Sequence, residues 1–326
     1  MSKIIICIHG LGNKPPSHLY KSWWKKSILK GLSEIHRARL FLNLELVYYA
    51  DLLHSRPLDA ECKDKNDPLF IKEPYVPESK IIQSNGEHQT AVFDQLKAQL
   101  EKVIFTATVS LNIDTITDSI LRRYFSDLAD YYYKIYKIVD GKELPLGEII
   151  RQRLSEVLYK NRKKEILLIG HSMGSIIAYD VLRRTLPEVK IHSFVSVGSP
   201  LGISVILKKI FQQSNFSSIK DVAVPESIQY AWYNIFDPRD IITLGNSIRD
   251  YYKENNKLVK VIDLKINNSY EHNGKNNPHK IYGYLREEEF SAILNNFLTD
   301  GKETLLNKLG YKLSEFLIKI NRNEIN

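Results

Sequence analysis

The stretch Glu165-Ile-Leu-Leu-Ile-Gly-His-Ser-Met-Gly-Ser-Ile-Ile-Ala-Tyr-Asp180 constrains the fold more than any other part of the chain. It reads as strand, sharp turn, helix. Ile166 to Ile169 is an unbroken apolar run, as a strand buried on both faces of a parallel sheet requires. Ile176, Ile177, Ala178, Val181 and Leu182 then recur at helical spacing. Between the two lies Gly170-His171-Ser172-Met173-Gly174, which fits Gly-x-Ser-x-Gly. A serine on so tight a turn is strained, and flanking glycines leave room for a close backbone approach. The turn pushes the Ser172 hydroxyl out at the carboxyl end of the sheet. There the new helix aims its free N–H groups and positive dipole end. A Gly-rich turn without chemistry would have the same five residues; the strand and helix on either side favour a nucleophile.

A chain of 326 residues accommodates one α/β domain with an insertion. Its 46 basic and 38 acidic residues leave a net charge of +8. The basic residues are spread in pairs such as Lys25-Lys26, Arg122-Arg123 and Lys208-Lys209. They read as a solvated surface, with weak attraction to an anionic membrane surface as the sharper interpretation. No nucleic-acid motif accompanies them. Cys7 and Cys62 give no disulfide framework, and Cys7 reads as a core residue. The first residues lack the features of a signal peptide, and no run is long enough to span a bilayer. A cytoplasmic location is expected.

Along the chain, Lys3 to Ile8 reads as a buried strand running into His9-Gly10-Leu11-Gly12-Asn13. A helix carrying Trp23, Trp24, Ile28 and Leu32 follows, then a strand over Leu42 to Ala50. From His54 to about Gln89 prolines and charges break the pattern. Thr90 to Ile138 reads as helical, with Val103 to Ile113 and Tyr131-Tyr132-Tyr133 as apolar features. Residues 54–138 thus form an insertion between core strands, expected to act as a cap or lid. A helix around Ile149 to Leu158 leads to the central strand. Later strands are expected over Val189 to Val197, Ser227 to Phe236 and Leu258 to Leu264. Phe290 to Leu298 and Leu305 to Ile320 read as closing helices.

A serine hydroxyl needs a base within hydrogen-bond reach and a carboxylate to orient that base. Asp237 and Asp240 follow the strand ending at Phe236, and only His272 and His279 come after them. His279 heads a helix-like segment with apolar anchors, whereas His272 lies in a polar loop, so His279 is favoured. Asp237 precedes Pro238 and suits turn initiation. Asp240 has the edge.

These motifs resemble the α/β-hydrolase superfamily of serine hydrolases, of the lipase/esterase type. His9-Gly10-Leu11-Gly12 is similar to its oxyanion loop, and Gly170 to Gly174 to its nucleophile elbow. Gly198-Ser199-Pro200-Leu201-Gly202, Asp240-Ile241-Ile242 and His279-x-x-Tyr282 are weaker matches to its later loops. The resemblance implies a three-layer α/β-hydrolase sandwich, a mostly parallel sheet carrying an inserted helical cap, in one domain over residues 1–326. It also implies hydrolysis of a carboxylic ester, of acyl or lipid type, through an acyl-enzyme. Ser172, His279 and Asp240 would form the triad, with the backbone N–H groups of Leu11 and Met173 as the oxyanion hole. No cofactor and no metal are implied, and thioesters and amides remain open. A non-catalytic scaffold of the same fold, used for binding, is the alternative.

Overall fold

The computed structural model of the chain describes residues 1–77, 126–133, 135–139, 141–184, 189–212, 222–243 and 247–302. The elements in chain order are β1 (Lys3–Ile8), α1 (Ser17–Glu34), β2 (Leu44–Val47), α2 (Ala50–Leu53), α3 (Ser126–Tyr132), β3 (Tyr136–Val139), β4 (Lys142–Pro145) and α4 (Leu146–Lys160). They continue with β5 (Glu165–His171), α5 (Met173–Arg184), β6 (Ile191–Val197), α6 (Ser204–Gln212), β7 (Ile228–Phe236) and β8 (Val261–Lys265). The short strands β9 (Glu271–His272) and β10 (Lys275–Asn276) and the helices α7 (Ile281–Tyr284) and α8 (Glu288–Thr299) follow.

Six strands form one sheet in the order β2-β1-β5-β6-β7-β8. Every neighbouring pair is parallel. Successive strand residues point to opposite faces, and β1 is apolar on both. Ile4, Ile6 and Ile8 pack with residues of α3, α4, α5 and α6. Ile5 and Cys7 pack with residues of α1, α7 and α8. The sheet is therefore the middle of three layers, as expected. β1 has β2 on one side and β5 on the other, so the strand order reverses there. In open α/β sheets the crevice at such a point, at the carboxyl ends of the strands, is where ligands bind. Ile8 lies opposite Gly170 in register, so the His9 loop and the Ser172 turn leave the sheet side by side.

Two features differ from the sequence-based expectation. β2 ends at Val47, because the Tyr49 N–H donates to His9 Nε2 at 3.0 Å and the chain turns into α2. The helix expected to run through Ile138 has stopped by then. Tyr136–Val139 pairs antiparallel with Lys142–Pro145, and Gly141 takes φ +74°, a conformation glycine adopts without strain. The apolar spacing at Ile135, Tyr136 and Ile138 belongs to this exposed hairpin and not to a buried helix face. Residues 54–77 carry no helix or strand beyond an isolated bridge between Asp59 and Phe70. Most of the expected cap, including Val103 to Ile113, and the closing helix Leu305 to Ile320 lie outside the described residues. Among those described, no helix is long and apolar enough to cross a membrane.

Candidate active site

Ser172 has φ +53°, the left-handed region that a residue with a Cβ seldom occupies. Its surroundings hold it there. The Ser172 N–H donates to Val197 O at 3.0 Å, and Ser172 O accepts from the N–H and hydroxyl of Ser175. Ser175 Oγ also meets Ser199 Oγ at 2.6 Å, which ties the turn to the loop after β6. The glycines explain themselves by contact. A Cβ on Gly174 would stand 2.4 Å from His9 O, so α5 starts pressed against the end of β1. A Cβ on Gly10 would stand 2.7 Å from Ser172 Cβ.

The loop after β7 and the segment before α7 meet at the same crevice. His279 Nδ1 donates to Asp240 Oδ2 at 2.8 Å. Asp240 is fully buried, and it also accepts Tyr284 OH at 2.9 Å on Oδ2 and Ile242 N–H at 2.9 Å on Oδ1. Burial, reinforced by the charge of Asp240, holds the Tyr284 phenol well above its ordinary pKa, so it stays a donor. Asp237 faces elsewhere. It takes the Arg239 guanidinium on both oxygens, at 3.1 and 2.6 Å, together with the N–H groups of Arg239 and Asn268. His272 lies in the β9–β10 hairpin. Asp51 pairs with Arg153 at 2.5 Å on the surface. Tyr282, singled out in the sequence beside His279, is a core residue whose ring packs against Tyr20, Trp23, Tyr75 and Tyr270.

The His9 loop is held from several sides. His9 Nδ1 donates to Gly10 O at 2.8 Å while Nε2 accepts Tyr49 N–H, so the ring is neutral and braces the turn. Burial, then the charge of Lys14, holds its pKa well below the ordinary range. Lys14 Nζ donates to the carbonyls of Leu11 and Gly12. Gly12 N–H donates to Asp127 Oδ2 at 2.6 Å, which brings α3 to the loop. The N–H groups of Leu11 and Met173 donate to no group among the described residues.

Ser172 is 1% exposed, and its Oγ makes no hydrogen bond among the described residues. Beside it His171 donates from Nε2 to His279 O at 2.9 Å, and the two imidazole rings lie 4.8 Å apart. Burial, then the nearby His279, holds the His171 pKa well below the ordinary range, so this ring is neutral. His171 fills the variable position of Gly-x-Ser, where nothing in the sequence marks it as a prop for His279. A cleft of about 530 Å³ opens over this region, with Leu11, His171 and His279 in its wall. Ser172 is not part of that wall. Among the described residues no three His, Cys, Asp or Glu side chains are grouped as metal ligands would be.

Residues 151–235 match the family model of lecithin:cholesterol acyltransferase, a family of enzymes. The match covers about a quarter of the chain, from α4 to β7. It includes Ser172 and stops short of Asp240 and His279. No curated protein matches the chain.

Proposed function

We propose that this protein is a serine hydrolase of acyl esters, with Ser172 as nucleophile, His279 as base and Asp240 as the group that orients the base. The observation that carries the reading is the His279 Nδ1–Asp240 Oδ2 hydrogen bond, made in the crevice beside the strained Ser172 turn. The match to an acyltransferase family across that turn supports the same chemistry, transfer of an acyl group out of a lipid ester.

In this reaction Ser172 Oγ attacks the ester carbonyl carbon and its proton passes to His279 Nε2. Asp240 balances the imidazolium. The carbonyl oxygen becomes an oxyanion, held by the N–H groups of Leu11 and Met173. When the intermediate collapses the alcohol leaves with the proton from His279. Water then attacks the acyl-enzyme, again with His279 as base, and a second collapse frees the acid and restores the Ser172 hydroxyl. The hydrogen bond from Ser172 Oγ to His279 forms only as substrate enters, since catalytic hydrogen bonds commonly tighten in the complex.

Residues 54–138 act as a cap in this reading. The described parts of this segment touch the oxyanion loop. Leu58 N–H donates to Lys14 O at 2.9 Å, Asn13 Nδ2 to Arg56 O at 2.8 Å, and Gly12 N–H to Asp127. Anchored there, the insertion can exclude water from the acyl-enzyme.

The test is turnover of p-nitrophenyl esters of graded chain length and of acyl lipids by wild type, Ser172→Ala and His279→Ala. Removing the nucleophile is expected to cost about 10⁶ in turnover and leave the fold intact. Undiminished turnover by a folded Ser172→Ala protein removes the triad. A wild type inert on every ester points instead to a binding scaffold.

A further inference from the structure

The cleft carries a charge pattern that cleavage of a neutral ester does not require. Phe70, Leu58 and Ile242 give it an apolar wall. Lys14, Lys72 and Lys280 also line it, against a single carboxylate among the described residues, Glu73. Glu73 is already engaged: Oε2 takes Lys280 Nζ at 3.0 Å and Oε1 takes Asn277 Nδ2 at 2.7 Å. Lys280 is held in place by aromatic surface, its Nζ 5.9 Å from the Tyr270 ring centre and 5.5 Å from that of Tyr282.

Lys14 makes no ion pair within 4 Å among the described residues; its ammonium rests on its own loop's carbonyls. Asp127 attracts it from behind the loop, but that carboxylate already takes Gly12 N–H and lies 3.5 Å from His54. Burial lowers the pKa of both lysines, and Lys14, which also feels the charge of Lys280, falls to about 7. Like charges gathered in a partly dry cleft repel one another and are poorly hydrated. A negative group brought in by a ligand relieves both costs.

We propose that the cleft selects substrates carrying an anionic group, a carboxylate or a phosphate, on the ester or its chain. Lys280 and the exposed Lys72 are the donors, and Lys14 supplies positive field from the oxyanion loop. The hydrocarbon part lies on the Phe70 and Ile242 wall. For its reaction this inference rests on the ester-hydrolase reading; for binding it stands apart from it.

The experiment separates the two. Ser172→Ala protein is titrated by calorimetry with octyl phosphate, octanoate and octanol. At least one of the two anions is expected to bind about tenfold or more tighter than octanol, as a charge-assisted contact implies, and the two arms tell phosphate from carboxylate. Lys280→Met in the same background is expected to erase most of that advantage, and Lys280→Arg to keep it. Glu73→Gln is expected to strengthen anion binding, because it removes the competing carboxylate. The opposite signs of the Lys280→Met and Glu73→Gln effects are the signature of an anion site. Equal binding of all three ligands, or parallel losses in Lys280→Met and Glu73→Gln, overturns it. Anion preference in a protein whose wild type cleaves no ester upholds the site and overturns only the reaction.

Discussion

Asp240 accepts three hydrogen bonds, from Ile242 N–H, Tyr284 OH and His279 Nδ1. With its lone pairs committed to fixed donors, the carboxylate has one orientation, and it passes that orientation to the imidazole. Tyr284 OH accepts Asp237 N–H at 2.9 Å as well, so the phenol braces the turn and the acid together. Asp237 binds Arg239 and the N–H of Asn268, which shapes the loop. The two acids therefore have separable roles. Asp240→Asn is expected to cut turnover by about 10⁴, the cost of losing the orienting acid in a triad. Asp237→Asn is expected to lower unfolding free energy by about 1–3 kcal/mol through loss of a buried charged acceptor, with a much smaller effect on turnover per folded molecule. Urea unfolding and ester turnover of both variants check this, and a reversed pattern moves the acid to Asp237. The sequence separated these residues only slightly, since they lie three apart after one strand. Which carboxylate turns toward His279 depends on Tyr284 and Asn268, distant in the chain.

At the scale of elements, the His9 loop is held by hydrogen bonds along its whole length. Every carbonyl from His9 to Lys14 has a donor. Tyr49 OH serves His9 O, the His9 ring serves Gly10 O, and the Lys14 ammonium serves Leu11, Gly12 and Asn13. Leu58 N–H and Tyr48 OH serve Lys14 O. A trans peptide sets its N–H opposite its C=O, so fixing Gly10 O also fixes Leu11 N–H. The His-Gly-Leu-Gly run was legible as a turn after a strand. Lys14 was not, because a loop lysine reads as solvated until its carbonyl partners are known. Its burial has a consequence in pH. An ammonium with a pKa of about 7 in the folded state and near its ordinary value of 10.5 when unfolded binds more protons in the unfolded chain between those values. Stability from this group is then lowest below about pH 7 and rises toward about pH 10.5. The wild-type stability minus that of Lys14→Met is expected to climb across that window, followed by urea unfolding at successive pH values. A flat difference contradicts the burial of the charge.

At the scale of the whole molecule, the site is a convergence at the carboxyl edge of one sheet. β1 delivers the His9 loop, β5 delivers Ser172, the loop after β7 delivers Asp240, and His279 follows β8 and the β9–β10 hairpin. The strands could be read because a strand buried on both faces is a continuous apolar run, as in Ile4 to Ile8 and Ile166 to Ile169. Their order across the sheet could not, since long-range pairing leaves no periodic trace. The start of the hairpin, Tyr136 to Ile138, was read as the end of a helix because its exposed aromatic and aliphatic residues mimic helical spacing. The cationic lining of the cleft was likewise hidden, as Lys14, Lys72 and Lys280 meet only in the folded chain. The claim that unites these parts is that Ser172 is a nucleophile activated by His279. Reaction with a fluorophosphonate, followed by peptide mapping, tests it most directly. The expected result is one adduct, on Ser172, absent in Ser172→Ala and strongly slowed in His279→Ala and Asp240→Asn. A folded wild-type protein that stays unlabelled, or an adduct on another serine, contradicts the account.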